Sequence, residues 1–230
     1  IMKKNDVRKI IFSSTAAVYH QSTKPLTEKS KLKAISTYAK TKLICEKNIK
    51  KQKNLNSVIL RFFNVCSALD KPIVGELHEP ETHLIPTIVY KAMFNKKIYI
   101  YGNDFPTFDG TCIRDYIHIK DICSAIEKST AFLLNNNKSK TFNIGGNKGL
   151  SNNEIVNFIK KTIKKKINLS YVKRRKGDIS KLVCNPKKIN NQLGWKAKNS
   201  NLNRIVKDEI TWIKNFSKKG YKRKFKNYLK

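Results

Sequence analysis

Two stretches constrain the architecture more than any others. Lys9-Ile10-Ile11-Phe12-Ser13-Ser14-Thr15 shows no polar alternation until its end, and the run from Asn56 to Val65 reads as a second buried strand that again ends in a polar group, Asn64. That is the pattern of strands buried on both faces of a parallel sheet. Between them a helix is predicted from Tyr38 to about Lys51, with Ser36 or Thr37 as N-cap and Leu43, Ile44 and Ile49 on its apolar face. Two parallel strands joined by a helix form one right-handed crossover unit. Ligands of such sheets gather at the carboxyl ends of the strands. Here those ends carry the hydroxyls of Ser13, Ser14 and Thr15 and the amide of Asn64.

The helix opens with Tyr38-Ala39-Lys40-Thr41-Lys42. Residues four apart share a helix face, so Tyr38 and Lys42 are expected one above the other, with the ammonium favouring a phenolate. A second Tyr-x-x-x-Lys match, Tyr116 and Lys120, lies in Arg114-Asp115-Tyr116-Ile117-His118-Ile119, which alternates like a strand. Four strand residues span about twice the distance of four helical ones. Tyr38 is therefore the candidate proton acceptor.

At 230 residues and 40% hydrophobic composition the chain can bury a full α/β core. The net charge of +33 would ordinarily suggest nucleic acid. The basic residues, however, run from Lys3 to Lys230 amid abundant Asn and Ile, as a coding bias produces, so most read as solvated faces and no specific nucleic-acid partner is expected. Five cysteines, with no Cys-x-x-Cys and no His at ligand spacing, indicate neither a disulfide framework nor a metal site, and read as buried thiols. No apolar run approaches 18 residues and no signal-peptide pattern opens the sequence, so a cytoplasmic protein without membrane contact is expected.

Further along, 68–82 reads as an irregular loop, 83–94 as a helix, 98–101 as a strand and 102–110 as turns. Asp121 is expected to cap a helix carrying Ile122, Ala125, Ile126 and Leu133, followed by a strand at 141–144. Ser151-Asn152-Asn153-Glu154 is a capping box. A strand at 169–172, a charged loop at 174–178 and an amphipathic helix through Leu202, Ile205, Val206, Ile210 and Ile213 complete the pattern. From Lys218 a basic tail is expected to be mobile.

Taken together, Phe12-Ser13-Ser14-Thr15-Ala16-Ala17-Val18-Tyr19, Tyr38 with Lys42, Leu60-Arg61-Phe62-Phe63-Asn64, the Pro80 to Pro86 segment, the run from Tyr101 to His118 and Arg174-Arg175-Lys176-Gly177-Asp178 resemble the extended short-chain dehydrogenase/reductase family, and within it the UDP-glucose 4-epimerases. The resemblance implies the C-terminal part of a Rossmann-type parallel sheet plus a smaller α/β substrate-binding domain. Residues 1–64 would hold the later sheet strands, 65–217 mainly the substrate domain, with about 112–134 packing back on the sheet domain, and 218–230 the tail. It implies an isomerase that uses NAD to interconvert UDP-galactose and UDP-glucose through hydride removal and return at carbon 4. It also implies a homodimer when full length.

In that reading Tyr38 is the base for the 4-hydroxyl, Lys42 lowers its pKa and holds the cofactor ribose, and Thr15 aligns the same hydroxyl. Ser13 and Ser14 adjoin the cofactor. Arg114 and Arg175 pair with the pyrophosphate, and Asp178 accepts from a ribose hydroxyl. Asn64 reaches the phosphates or sugar, Leu84 and Tyr101 enclose the uracil, and His83 adds a hydrogen bond to the substrate. Leu182 falls near the position that gates substrate size, which keeps N-acetylhexosamines open. Pentose or uronate 4-epimerases are alternatives, as is a non-catalytic basic binding protein. A dehydratase would want an Asp-Glu pair where Ala16-Ala17 stand. The nine glycines contain no G-x-x-G-x-x-G, and relatives carry about a hundred residues ahead of the first strand to hold the adenosine half of NAD. The chain is accordingly expected to be a fragment that binds NAD poorly and is inactive alone.

Overall fold

The computed structural model describes residues 1–71, 73–78 and 80–218, so the expected mobile tail lies outside the described residues apart from its first position. After a 3-10 turn, Met2–Asn5, come β1 (Lys9–Thr15), a second 3-10 turn (Ala16–Val18), α1 (Thr37–Lys50), β2 (Asn56–Phe62) and β3 (Asn64–Cys66). A small hairpin, β4 (Leu69–Asp70) and β5 (Ile73–Val74), leads to α2 (Leu84–Met93) and β6 (Ile98–Tyr101). Then follow β7 (Ile113–His118), α3 (Ile119–Asn135), β8 (Lys140–Ile144), β9 (Gly149–Ser151), α4 (Asn152–Ile163), β10 (Leu169–Val172), β11 (Lys181–Leu182), α5 (Lys187–Leu193) and α6 (Leu202–Lys218).

The crossover unit forms as read. β1 pairs in parallel with β2, from Lys9 with Asn56 to Thr15 with Phe62, and β2 pairs in parallel with β8. β2 is buried along its middle, but β1 is only half-buried, because among the described residues it lies at the edge of the sheet. The second predicted strand does not run unbroken to Val65. It breaks at Phe63, whose N–H donates to the Ile144 carbonyl at 2.9 Å while its buried ring joins a cluster with Tyr19, Leu26 and Leu182. Asn64 thereby changes sheets and begins β3, parallel to β7. β7 continues to β11 in parallel and to β9 in antiparallel fashion, and β6 pairs in parallel with β10.

Two larger cores organise the rest. Val58, Leu60, Phe142 and Ile144 of the three-stranded sheet pack with Ile122, Ala125 and Leu133 of α3, Ile189 of α5 and Trp195. Ile85, Ile88 and Val89 of α2 pack with Ile98 and Ile100 of β6, Ile155 and Ile159 of α4, and Ile205 and Ile213 of α6. At about 25 cal/mol per Å² of apolar area, each fully buried Ile or Val contributes about 1.5–3 kcal/mol, so both cores hold their elements firmly.

Three local expectations change. α3 is capped by His118, whose side chain accepts from the Lys120 N–H at 3.0 Å. Asp121 instead accepts from the backbone N–H groups of Lys198 and Asn199 and from the Ser200 hydroxyl, anchoring the chain ahead of α6. Only Cys66, Cys112 and Cys184 are buried thiols, whereas Cys45 and Cys123 are exposed; all five are free. α5, with Gly194 in the left-handed region as its C-cap (φ 60°), has too few apolar residues to announce itself in the sequence. The capping box at Ser151 and Glu154 forms in full.

Candidate functional site

The site is assembled from the carboxyl ends of β1 and β2 and the start of α1. The Ser36 hydroxyl accepts from the Ala39 N–H at 3.1 Å, which fixes the first helical turn and with it Tyr38. Tyr38 is 56% exposed, and Lys42 lies one turn further on, its ammonium 5.7 Å from the Tyr38 ring centroid. Lys42 donates to the Ser13 carbonyl at 2.9 Å, tying the helix to the strand end. Thr15 accepts from the Ala17 N–H at 3.2 Å and so caps the turn after β1. Tyr116, the other candidate, is buried in β7, and burial pushes its phenol well above its ordinary range. Its partner in the motif, Lys120, pairs with Asp70 at 2.5 Å.

A cleft of about 1230 Å³ opens beside these groups, and Thr15, Tyr38, Asn64, His83, Arg114, Arg175 and Asp178 all line it. An adjoining recess of about 180 Å³ shares Asn64, His83, Arg114, Arg175 and Asp178 and adds Leu84 and Tyr101. Arg175 lies over the Tyr101 ring, 3.9 Å from its centroid, and the loop that carries it turns at Gly177 (φ 89°). Leu182 lines the cleft floor. His83 stands at the N-cap of α2, and its bond to the Glu81 carboxylate, 2.9 Å long, raises its pKa. Ser13 meets the site through its backbone carbonyl. Ser14 also lines the cleft, and its hydroxyl donates to Glu46 at 2.5 Å.

That bond leads to a buried network invisible in the motif reading. Arg61, 2% exposed, donates to both oxygens of Glu46, at 2.9 and 2.6 Å, and to the Tyr19 hydroxyl at 2.8 Å. Tyr19 in turn donates to Asn143 of β8 at 2.6 Å. Burial raises the Glu46 carboxyl, but the bonds from Arg61 and Ser14 outweigh it and hold the group below its ordinary value. Burial pushes Tyr19 up to about 12, so it remains a neutral donor. A charged residue inside an unbroken apolar strand, Leu60-Arg61-Phe62, was the available signal, because a buried guanidinium requires an anion.

The arrangement brings an exposed phenol, with an ammonium one helical turn behind it, and a strand-end hydroxyl to the same cleft as two guanidinium groups and a carboxylate. The family model for GDP-mannose 4,6 dehydratase matches residues 1–208. The chain is 37% identical over 228 residues to a UDP-glucose 4-epimerase of Lactobacillus helveticus, covering 97% of this chain and 69% of that protein. The chain belongs to the UDP-glucose 4-epimerase family. A second epimerase relative, from Rhizobium meliloti, is 40% identical over 190 residues, covering 80% of this chain and 58% of its own length. The chain thus spans roughly three fifths to two thirds of these relatives. A crystal structure of UDP-glucose 4-epimerase from Stenotrophomonas maltophila, with bound NAD and formylated UDP-arabinopyranose, superposes with a TM-score of 0.89 at 31% identity, over 95% of this chain and 67% of that one. The parallel β1, β2 and β8 therefore belong to a Rossmann-type sheet, as an epimerase of this family requires. Among the described residues no helix is long and apolar enough to cross a membrane.

Proposed function

We propose that this epimerase-family chain carries the acid–base residues and the nucleotide-sugar cleft for NAD-dependent interconversion of UDP-galactose and UDP-glucose. The observation that carries the reading is the convergence of Thr15, Tyr38, Asn64, Arg114, Arg175 and Asp178 on one cleft. Residues 1–64, with 112–134 packed back, are read as the cofactor side and 65–217 mainly as the substrate side, β8 standing beside β2.

Tyr38 takes the proton from the 4-hydroxyl and later returns it, and Thr15 holds that hydroxyl in line. Positioned acid–base groups of this kind contribute about 10²–10⁴-fold. Arg114 and Arg175 grip the pyrophosphate through planar, charge-assisted donors, and Asp178 accepts from the ribose. A firm hold on the nucleotide leaves the hexose free to turn over between its two faces. The donor set at the end of β1 fits the nicotinamide side of NAD: Lys42 is a cation able to donate to ribose hydroxyls, and the Tyr38 phenol is exposed beside it. NAD, when bound, supplies the acceptor and source of the hydride at carbon 4. Dehydration would need an acid after Thr15, where this chain has Ala16 and Ala17. A homodimer is the further expectation of the resemblance, tested by light scattering on the purified protein.

Titration of UDP into the chain tests the cleft separately from turnover. One UDP is expected to bind per chain. Replacing Arg175 by Ala is expected to weaken it at least about tenfold, since a hydrogen bond to a charged group is worth about 1.5–3 kcal/mol. No binding, or binding unchanged in both the Arg114→Ala and Arg175→Ala variants, would overturn the reading.

A further inference from the structure

At the mouth of the cleft, away from Tyr38, the segment between β5 and α2 brings Glu76, His78 and His83 together. The sequence has only four histidines and 16 acidic residues against 49 basic ones, yet two of those histidines meet here around one carboxylate. One donor atom from each of the three side chains lies within 4.8 Å of the others. Oε1 of Glu76 is 2.6 Å from Nδ1 of His78 and 3.3 Å from Nδ1 of His83, and the two rings are 5.2 Å apart. Among the described residues the ion-pair partners of Glu76 are these two imidazoles and no Lys or Arg. We infer that Glu76, His78 and His83 form a binding site for a divalent transition metal ion of the zinc class.

Two imidazoles and one carboxylate are the ligand set that suits zinc, cobalt or nickel and discriminates against magnesium, which prefers oxygen. Metal–ligand bonds of about 2.0–2.1 Å in a tetrahedron give ligand–ligand edges of about 3.3–3.4 Å. The Glu76 to His83 edge already has that length, the Glu76 to His78 contact opens from 2.6 to about 3.3 Å, the two imidazole donors start within 4.8 Å of each other, and His83 Nδ1 exchanges its 2.9 Å bond to Glu81 for the metal. The segment is held in place for this. The Trp212 indole N–H donates to the Glu76 carbonyl at 3.0 Å, and Gly75 lies so close against the Trp212 ring that an added Cβ would sit 2.5 Å from it. The start of α2 contributes about half a positive charge, which opposes a cation. The carboxylates of Glu76 and buried Glu81, the latter bonded to the His83 N–H at 2.6 Å, more than offset it. All three ligands also line the cleft, so the fourth position is open to water or to an anionic group held there. His78 and His83 stand as H-x4-H, inside the H-x3–5-H spacing of zinc ligands, which corrects the reading that no His stands at ligand spacing.

The test is titration of a tag-free chain with zinc chloride, followed by the visible absorption of the cobalt(II)-loaded protein. One zinc per chain is expected, not displaced by a tenfold excess of magnesium, with cobalt showing intense tetrahedral bands. His78→Ala and Glu76→Gln should each weaken binding at least about tenfold. Both side chains are substantially exposed, so unchanged far-UV circular dichroism is expected to accompany that loss. No stoichiometric zinc, or wild-type affinity in both variants, would refute the site whatever the outcome for UDP.

Discussion

Replacing Arg61 by Leu probes what holds α1, the helix that carries Tyr38 and Lys42, to the sheet. Arg61 and Glu46 are 2% and 1% exposed, joined by two bonds of 2.9 and 2.6 Å, and Glu46 lies eight residues after Tyr38 on α1. Eight residues are a little over two turns, so the network fastens the same helix that presents Tyr38 and Lys42. Removing the guanidinium leaves a buried carboxylate with only the Ser14 hydroxyl and a 3.6 Å contact to Lys50, and leaves the Tyr19 hydroxyl without its donor. Breaking one side of a buried ion pair costs about 3–5 kcal/mol, whereas replacing both sides with apolar residues of similar size is often nearly neutral. Arg61→Leu should therefore lose about 3–5 kcal/mol, and Arg61→Leu with Glu46→Leu should recover most of it. Urea unfolding followed by Trp195, buried against the same sheet, reads both. Because the Glu46 carboxyl is held below its ordinary value when folded, its contribution is present above the unfolded pKa and fades as pH falls through the folded one. The stability difference between wild type and Arg61→Leu should accordingly narrow in acid. A loss under about 1 kcal/mol, or a double variant no better than the single, would refute the argument.

Two further outcomes follow from the same geometry. Tyr38→Phe in an NAD-loaded, turnover-competent form of the protein should lower kcat by about 10²–10⁴-fold with little change in UDP affinity, while Thr15→Ala should cost less; equal losses would remove Tyr38 from its special role. Glu209 in α6 is pushed up to about 8 by burial and by its neighbours Glu81 and Glu76, so it binds its proton more tightly folded than unfolded. Its stabilising effect is complete below the ordinary carboxyl range and disappears as pH rises through about 8, with a ceiling on the order of 5 kcal/mol at about 1.4 kcal/mol per pKa unit. Glu209→Gln should flatten the fall in thermal stability between about pH 5 and 8, as differential scanning calorimetry would show.

How far the sequence disclosed this molecule depends on the range of the interaction involved. The crossover of β1, α1 and β2, the Ser36 cap and the Ser151 capping box rest on neighbours within a few positions, and all were legible from spacing. The distinction between Tyr38 and Tyr116 was legible for the same reason, because local period separates an exposed helical phenol from one buried in a strand. What escaped is long-range. The break at Phe63 depends on the carbonyl of Ile144, and the role of Asp121 depends on residues 198–200. The cleft needs Arg175 and Asp178 to return beside Asn64 after more than a hundred residues, which only motif resemblance could suggest. The Arg61 network is long-range throughout: Glu46 stands 15 residues from Arg61 and 32 from Ser14, and Asn143 arrives from β8 and fixes Tyr19 in place. Ser14 and Thr15 both line the cleft, and their hydroxyls differ in what they bond: Ser14 donates to Glu46 in the network that keeps α1 seated, and Thr15 caps the turn after β1 through the Ala17 N–H. One strand-end motif therefore lines the cleft and at the same time ties the helix that carries Tyr38 to the sheet.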